Sequence, residues 1–314
     1  MTKEHIEKCP VCEQTIFSQK FFCEDYFVSH EKFPIYYCNA CSFNFTQHIP
    51  GKDEINRYYE TLDYVSHSNI KKGLINTIYH WVRKRMLWRK AKIVEKNQVS
   101  KHLLDVGCGT GHFASTMQYR GWKTVGIEPA VEPAEFARKN FNLTVKSSLF
   151  ADDFTENYFD VITLWHVLEH LPELNKSMEK LHQLLKDDGM LVIAIPNIKS
   201  YDAEKYQEYW AAYDVPRHIW HFSPETFRIL ATNHGFQVFN KKTMPFDAFY
   251  ISMMSEKYKG TKLFVIKGII AGIFSYIICL FNKKKSSSLI YLLKKQEKFI
   301  PEKTKFLDYG ENKE

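Results

Sequence analysis

The first ten residues, M-T-K-E-H-I-E-K-C-P, contain no apolar core, so no secretory leader is expected and the cytoplasm is the default location. Charge of one sign is never dense enough to demand a nucleic acid. The net charge is +7, with much of the basic excess in 71–96 and near the end of the chain. That excess suits an acidic substrate or an anionic membrane surface. Wholesale disorder is excluded by 45% apolar and 25% charged residues. In a reducing compartment the seven cysteines are thiols or metal ligands rather than disulfides. Glycine is sparse at 13 in 314 residues, yet three glycines fall within five positions. The length allows one sizeable α/β domain and a small appendage.

Those three are Gly107, Gly109 and Gly111, in the run L-L-D-V-G-C-G-T-G over 103–111. An apolar stretch ends in Asp105 and enters a glycine turn that opens a helix. This is the pattern of a buried strand whose exit lets a ligand approach the main chain closely. A second strand over 122–127 ends in Glu128, placed to accept hydrogen bonds from ribose hydroxyls. An adenosine-containing cofactor is therefore expected. The spacing departs from the G-x-G-x-x-G of dinucleotide sites, and an acid before the turn repels a pyrophosphate but attracts an amino group. In these residues the chain resembles the class I S-adenosylmethionine-dependent methyltransferases. The resemblance implies that Asp105, Gly107, Cys108, Gly109 and Gly111 pass the amino-acid half of S-adenosylmethionine and that Glu128 holds its ribose. Ser148, Leu149, Trp165 and His166 would complete the cofactor contacts. It also implies the fold: α/β, with a doubly wound, Rossmann-like seven-stranded sheet.

Strands expected over 101–106, 122–127, 144–146, 159–164 and 190–195 alternate with helices over 112–119, 132–140 and 174–185, as in a parallel doubly wound sheet. A helix over 224–233 and a strand over 236–241 follow. The segment 288–293, S-L-I-Y-L-L, is the candidate for the antiparallel seventh strand with which that family closes its sheet. The expected organisation is a zinc ribbon (1–50), a helical connector (51–98), a methyltransferase domain (99–244 and 286–300), an apolar helical insertion (245–285) and a tail (301–314). The connector holds Tyr58, Tyr59 and Tyr64, then a basic amphipathic helix over 74–94. Ile75, Ile78, Trp81 and Val82 line one face of that helix, and Arg83, Lys84 and Arg85 the other. Packing on the catalytic sheet is expected of it ahead of a nucleic-acid-binding face. The insertion contains the most apolar run, 263–280, interrupted by Lys267 and followed by Lys283, Lys284 and Lys285. Its length borders on a membrane span. A single crossing, however, would leave the seventh strand across the bilayer from its own sheet. Membrane-surface contact by an interfacial helix and a buried helix or protein contact both stay open.

Cys9-Pro10-Val11-Cys12 and Cys38-Asn39-Ala40-Cys41 form two C-x-x-C knuckles with 25 residues between them. Four thiolates supply a tetrahedral structural zinc. A domain of ~45 residues has too small a core to fold well without such a staple. Two knuckles outside any βαβ pattern argue against a thioredoxin-like role. Cys23, Cys108 and Cys279 are left as plain buried thiols.

The expected fourth strand runs into Trp165-His166-Val167-Leu168-Glu169-His170. On a helical turn His166, Glu169 and His170 can share a face. Three roles stay open: general base for an acceptor hydroxyl, ligands for a second, divalent metal at the active site, or bracing of the loop. The segment is similar to the matching loop of the ubiquinone-pathway O-methyltransferases, in which two glutamates and a histidine hold a metal. His166 stands in the place of the first glutamate, while Glu169 and His170 match. A second constellation, D-V-P-R-H-I-W-H-F over 214–222, precedes a Ser223-Pro224 helix start. It gathers Arg217, His218 and His221, which suits an acidic or aromatic acceptor unless the histidines merely pack. This string resembles a group of bacterial methyltransferases that carry an N-terminal zinc ribbon. The resemblance implies methyl transfer to a small-molecule or lipid-linked acceptor, first of all at oxygen. His166, His170 or His218 would act as base, with Glu169, Arg217 and His221 at the substrate. Two rivals remain. One is an RNA base methyltransferase, against which the ribbon's Lys3, Lys8, Lys20 and Lys32 are offset by Glu4, Glu7, Glu13, Glu24, Asp25 and Glu31. The other is a scaffold that binds cofactor without turnover.

Overall fold

A computed structural model of the chain describes residues 3–51, 53–59, 74–95, 101–244 and 246–297. Tyr64, the 96–98 end of the connector and the 301–314 tail lie outside the described residues, as do the side chains of Ile75, Ile78, Trp81 and Val82.

The ribbon consists of β1 (Lys3–Glu4), β2 (Phe17–Glu24), β3 (Lys32–Cys38), β4 (Asn44–Thr46) and β5 (Ile49–Pro50). Asp25 closes the β2–β3 turn by accepting the main-chain N–H groups of Phe27 and Ser29. Helix α1 (Leu74–Val94) follows. Its Ala91, Ile93 and Val94 are buried with Leu103, Phe113 and Met117, so the basic helix packs on the sheet as expected.

The alternating region comprises β6 (His102–Val106), α2 (His112–Tyr119), β7 (Lys123–Ile127), α3 (Val131–Phe141), β8 (Thr144–Lys146), β9 (Phe159–Trp165), α4 (Leu174–Leu184) and β10 (Leu185–Pro196). Then come α5 (Tyr201–Tyr206), β11 (Trp220–His221), α6 (Pro224–Asn233), β12 (Phe236–Thr243), α7 (Asp247–Tyr258), α8 (Phe264–Phe281) and β13 (Ser288–Lys295). The seven-stranded sheet has the order β12-β13-β10-β9-β6-β7-β8. From β10 to β8 all pairs are parallel, and β13 lies antiparallel between β10 and β12, with Leu293 opposite both Leu191 and Val238. Residues 288–293 therefore do form the expected seventh strand. β9 and the 190–196 part of β10 are buried almost throughout because helices cover both faces of a parallel sheet. Leu174, Met178, Leu181 and Leu184, at helical spacing, are the buried stripe of α4. The strand order reverses between β6 and β9, and that crevice at the strand carboxyl ends is where such sheets bind ligands.

The ribbon is not a loose appendage. β11, far along the chain, pairs with β4 and completes the ribbon's sheet. Phe43 packs on Trp220 and Phe222, and the apolar residues of both units share one core. Ser223 caps α6 in a full capping box with Thr226, with Pro224 at the first helical position.

Candidate functional site

The glycine turn after β6 sits at the crevice. Gly107 has φ +68°, and a Cβ there would come within 2.3 Å of Val167, so the turn packs directly on the loop that leaves β9. Gly109 has φ +53°, and a Cβ there would meet nothing within 4 Å. The left-handed backbone at that point faces open space, as a cradle for a ligand requires. Glu128, at the exit of β7, accepts the N–H of Gly109 at 2.9 Å and that of Ala130 at 3.0 Å. Its carboxylate ties down the turn and keeps further lone pairs free to accept. Burial raises its pKa, against the pull of the two amides. Asp105 is buried beneath the turn and accepts the Thr163 hydroxyl at 2.6 Å. Burial pushes its carboxyl up to about 7, although Thr163 and Lys90 pull the other way.

Lys90 of α1 turns inward, its ammonium 4.4 Å from the centre of the Trp165 ring. Burial lowers its pKa while Asp105 and Asp247 support its charge. Among the described residues Trp165 Nε1 is buried without a hydrogen-bond partner. The buried acid beneath the turn and the ammonium of α1 are thus of opposite charge and support one another. Cys108 packs against Gly126, and burial pushes its thiol up, so it is inert. Ser148 and Leu149 follow β8; Ser148 Oγ accepts the N–H of Phe150 at 3.1 Å, and Leu149 is buried.

His166 leaves β9 at φ +59°. Its Nδ1 is 3.3 Å from Glu169 Oε1 and its Nε2 3.2 Å from Asp247 Oδ2. Burial opposes the charge, but Asp247 and Glu169 outweigh it and hold the imidazolium up to about 10. A histidine protonated on both nitrogens cannot accept a proton, so the expectation of His166 as general base is corrected. His170 Nδ1 lies 3.0 Å from the Arg217 carbonyl, and His218 Nδ1 2.8 Å from the Ala212 carbonyl. Carbonyls only accept, so both Nδ1 atoms donate there, and His218 Nε2 faces Asp214 Oδ2 at 3.8 Å. Burial and His218 push His170 down to about 4, leaving it neutral. Glu169 is fully buried, and its Oε2 has no partner among the described residues. The ligand atoms of Glu169, His170 and His218 lie within 4.8 Å of one another. The group suited to a cation is therefore this trio, with His218 in the place that the sequence assigned to His166.

Arg217 and His221 require a second correction. Arg217 is buried; it donates to Asp214 at 2.7 Å, to Asp25 at 3.0 Å and to the Tyr58 carbonyl at 2.8 Å. Despite its burial, Asp214 and Asp25 hold its pKa above the ordinary value. His221 lies in β11, with Nε2 2.9 Å from Thr46 Oγ1 and its ring against Tyr213. Pairing of β11 with the ribbon buries both residues between the two units, so they brace the structure and do not face a substrate. Sequence reasoning missed Lys90 and Asp247. Lys90 left a faint signal, the helical spacing that puts it beside buried Ala91 and Val94. Asp247, distant in sequence from His166, left none.

In the ribbon, Cys9 and Cys41 have Sγ atoms 3.6 Å apart, Cys12 and Cys38 3.4 Å, and all four lie within 4.8 Å of one another. Such edges suit a tetrahedron with Zn–S of about 2.3 Å. Hydrogen bonds from Cys41 and Cys9 draw Cys12 toward the thiolate.

A methyltransferase-domain family model matches residues 78–241, more than half of the chain, and the chain belongs to that family. The ubiquinone biosynthesis O-methyltransferase of Actinobacillus pleuropneumoniae is 35% identical over 114 residues, which are 32% of this chain and 49% of that protein. Its Vibrio vulnificus counterpart is 34% identical over 110 residues, 32% of this chain and 47% of that one. The chain thus spans about half the length of the curated relatives it matches. Among solved structures, phosphoethanolamine N-methyltransferase 2 of Haemonchus contortus, in complex with S-adenosyl-L-methionine, aligns with a TM-score of 0.52 at 15% identity. That alignment covers 81% of this chain and 62% of that one, and shows the shared fold.

Proposed function

We propose that this protein transfers the methyl group of S-adenosylmethionine to a small-molecule or lipid-linked acceptor, at oxygen. The observation that carries the reading is the cradle itself: open space at Gly109, Glu128 holding its N–H, Asp105 buried beneath the turn and the Lys90 ammonium whose charge Asp105 supports. In that arrangement Glu128 takes the ribose, while Asp105 and Lys90 face the ammonium and carboxylate of the methionine half. The cofactor supplies a sulfonium methyl with an excellent leaving group, so the chain's task is to position the acceptor and assist loss of its proton. A His170 held near 4 is a weak base. The reading therefore gives Glu169, His170 and His218 a divalent cation, which when bound makes an acceptor hydroxyl more acidic. A structural zinc belongs to Cys9, Cys12, Cys38 and Cys41. The place of action is cytoplasmic and peripheral to the inner face of the membrane. Nucleic acid has no part, since the ribbon's lysines are offset by acids. Calorimetry with S-adenosylhomocysteine tests the site. One molecule should bind per chain, and Glu128→Ala should weaken it by about 1–3 kcal/mol through loss of a charged acceptor. Unchanged affinity in that variant would remove the assignment.

A further inference from the structure

Helix α8 is built inside out. Its face toward the protein carries Gly268, Ala271, Gly272, Ser275 and Cys279, all buried. A Cβ on Gly268 would lie 2.4 Å from Met253 Cα, and one on Gly272 2.9 Å from Phe249 Cα. α8 is thereby seated so close on α7 that larger side chains cannot turn inward. Ser275 adds a hydrogen bond to buried Asp202. The outward arc carries Ile266, Ile270, Ile273, Phe274, Ile277 and Phe281, all exposed. An ordinary surface helix hides such residues and shows its small polar ones. A contiguous apolar face of this kind marks a contact surface.

Its surroundings indicate what covers it. From 259 to 285 the chain has six lysines, Lys259, Lys262, Lys267, Lys283, Lys284 and Lys285, and no Asp or Glu; Lys285 pairs with Glu204 of α5, which leaves the other five for an outside partner. A second copy placed face to face would bring these lysines together with no acid on the helix to compensate them. A layer of anionic lipid headgroups over acyl chains satisfies the lysines and the isoleucines at once. Both ends of the helix are held on one side. Before it, Asp247 at the start of α7 touches His166; after it, Asn197 Nδ2 donates to the carbonyls of Lys284 at 2.8 Å and Ser286 at 2.9 Å, just ahead of β13. A helix so fixed cannot cross a bilayer without drawing β13 out of the sheet.

We infer that α8 is an in-plane dock for one leaflet of an anionic membrane, its Ile266–Phe281 arc in the acyl boundary and its lysines at the headgroups. This deepens the peripheral-membrane part of the proposed function. Because α7 links the dock to His166, docking brings the strand-end crevice beside the lipid and favours an acceptor carried in the bilayer.

Flotation of the full chain with phosphatidylcholine vesicles, with and without phosphatidylglycerol, tests it. Wild-type protein should float with the anionic vesicles and far less with the neutral ones. The Ile270→Asp/Ile277→Asp variant, altered only on the exposed arc, should lose at least about tenfold in vesicle-bound fraction, given the apolar area it withdraws from lipid. Lys283→Glu/Lys284→Glu should erase the preference for anionic lipid. Protein that stays in solution with both vesicles overturns the dock. So does a solution dimer that Ile270→Asp dissociates, which would assign the face to a second copy. Release from the membrane by detergent alone, and not by high salt or alkali, overturns the in-plane geometry. S-adenosylhomocysteine binding measured on the same samples separates the two readings: flotation without nucleoside binding supports the dock and sinks the methyltransferase assignment.

Discussion

Asp105 is the residue through which cofactor affinity should depend on pH. Its carboxyl is pushed up to about 7 by burial, so in the free protein it is half protonated near neutrality. The ammonium of the cofactor favours the carboxylate, so binding below pH 7 must displace a proton. Affinity should therefore rise with pH through this window and level off above it, with binding at pH 6 about tenfold weaker than on the plateau. Calorimetry in buffers of differing ionisation enthalpy should show proton release at pH 6 and little at pH 8. A flat profile between those values would contradict the placement of Asp105 beside the ammonium. The placing of Asp105 and Glu128 at the glycine turn was legible in sequence, because strand, turn and acid are close along the chain. The protonation state of His166 was not, since one of its two carboxylate partners is Asp247, from the insertion.

At the scale of elements, the segment 214–222 acts as a wedge. The N–H of Ile219 donates to the Glu169 carbonyl at 2.9 Å, and Trp220 Nε1 to the Leu171 carbonyl at 2.7 Å. Thr46 in β4 holds the same segment from the ribbon side through its N–H to Ile219 and its hydroxyl to the His218 carbonyl. The ribbon thus helps to set the loop that carries Glu169 and His170. Arg217 fastens the wedge to Asp25, and both are buried. Arg217→Ala would leave the carboxylates of Asp25 and Asp214 without their counter-ion. Removing one partner from a buried pair costs about 3–5 kcal/mol, to be read as a lower denaturant midpoint with an unchanged slope. A loss within the range of a surface substitution, about 0.5 kcal/mol, would show that the network is not needed. Helix α6 was readable from Ser223-Pro224, since caps are local chemistry. β11 was not, because a two-residue strand has no periodicity and exists only through its pairing with β4.

Across the whole molecule, the two groups of side chains proposed to hold metals, Cys9, Cys12, Cys38 and Cys41 and then Glu169, His170 and His218, are both joined to this wedge's neighbours. Metal analysis should return one tightly held zinc that is lost in Cys38→Ser, and a weaker divalent ion that is lost in Glu169→Gln while the zinc remains. Equal metal content in wild type and Glu169→Gln would refute the second site. S-adenosylhomocysteine binding should survive Cys38→Ser, because the cradle is built from β6, β7 and α1, none of them in the ribbon. The doubly wound sheet, its antiparallel last strand, the glycine turn with its two acids and the four-cysteine knuckles could all be read along the chain. Each is written in short-range patterns: apolar period, turn chemistry and ligand spacing. Folding was needed to show that His218 gathers with Glu169 and His170 while His166 lies between Glu169 and Asp247, that Arg217 and His221 brace an interface, that Lys90 lies over Trp165, and that α8 shows its isoleucines outward. These depend on contacts between residues far apart in the chain. Burial, charge pairing and the seating of two glycines on a neighbouring helix arise there only once the chain has closed on itself.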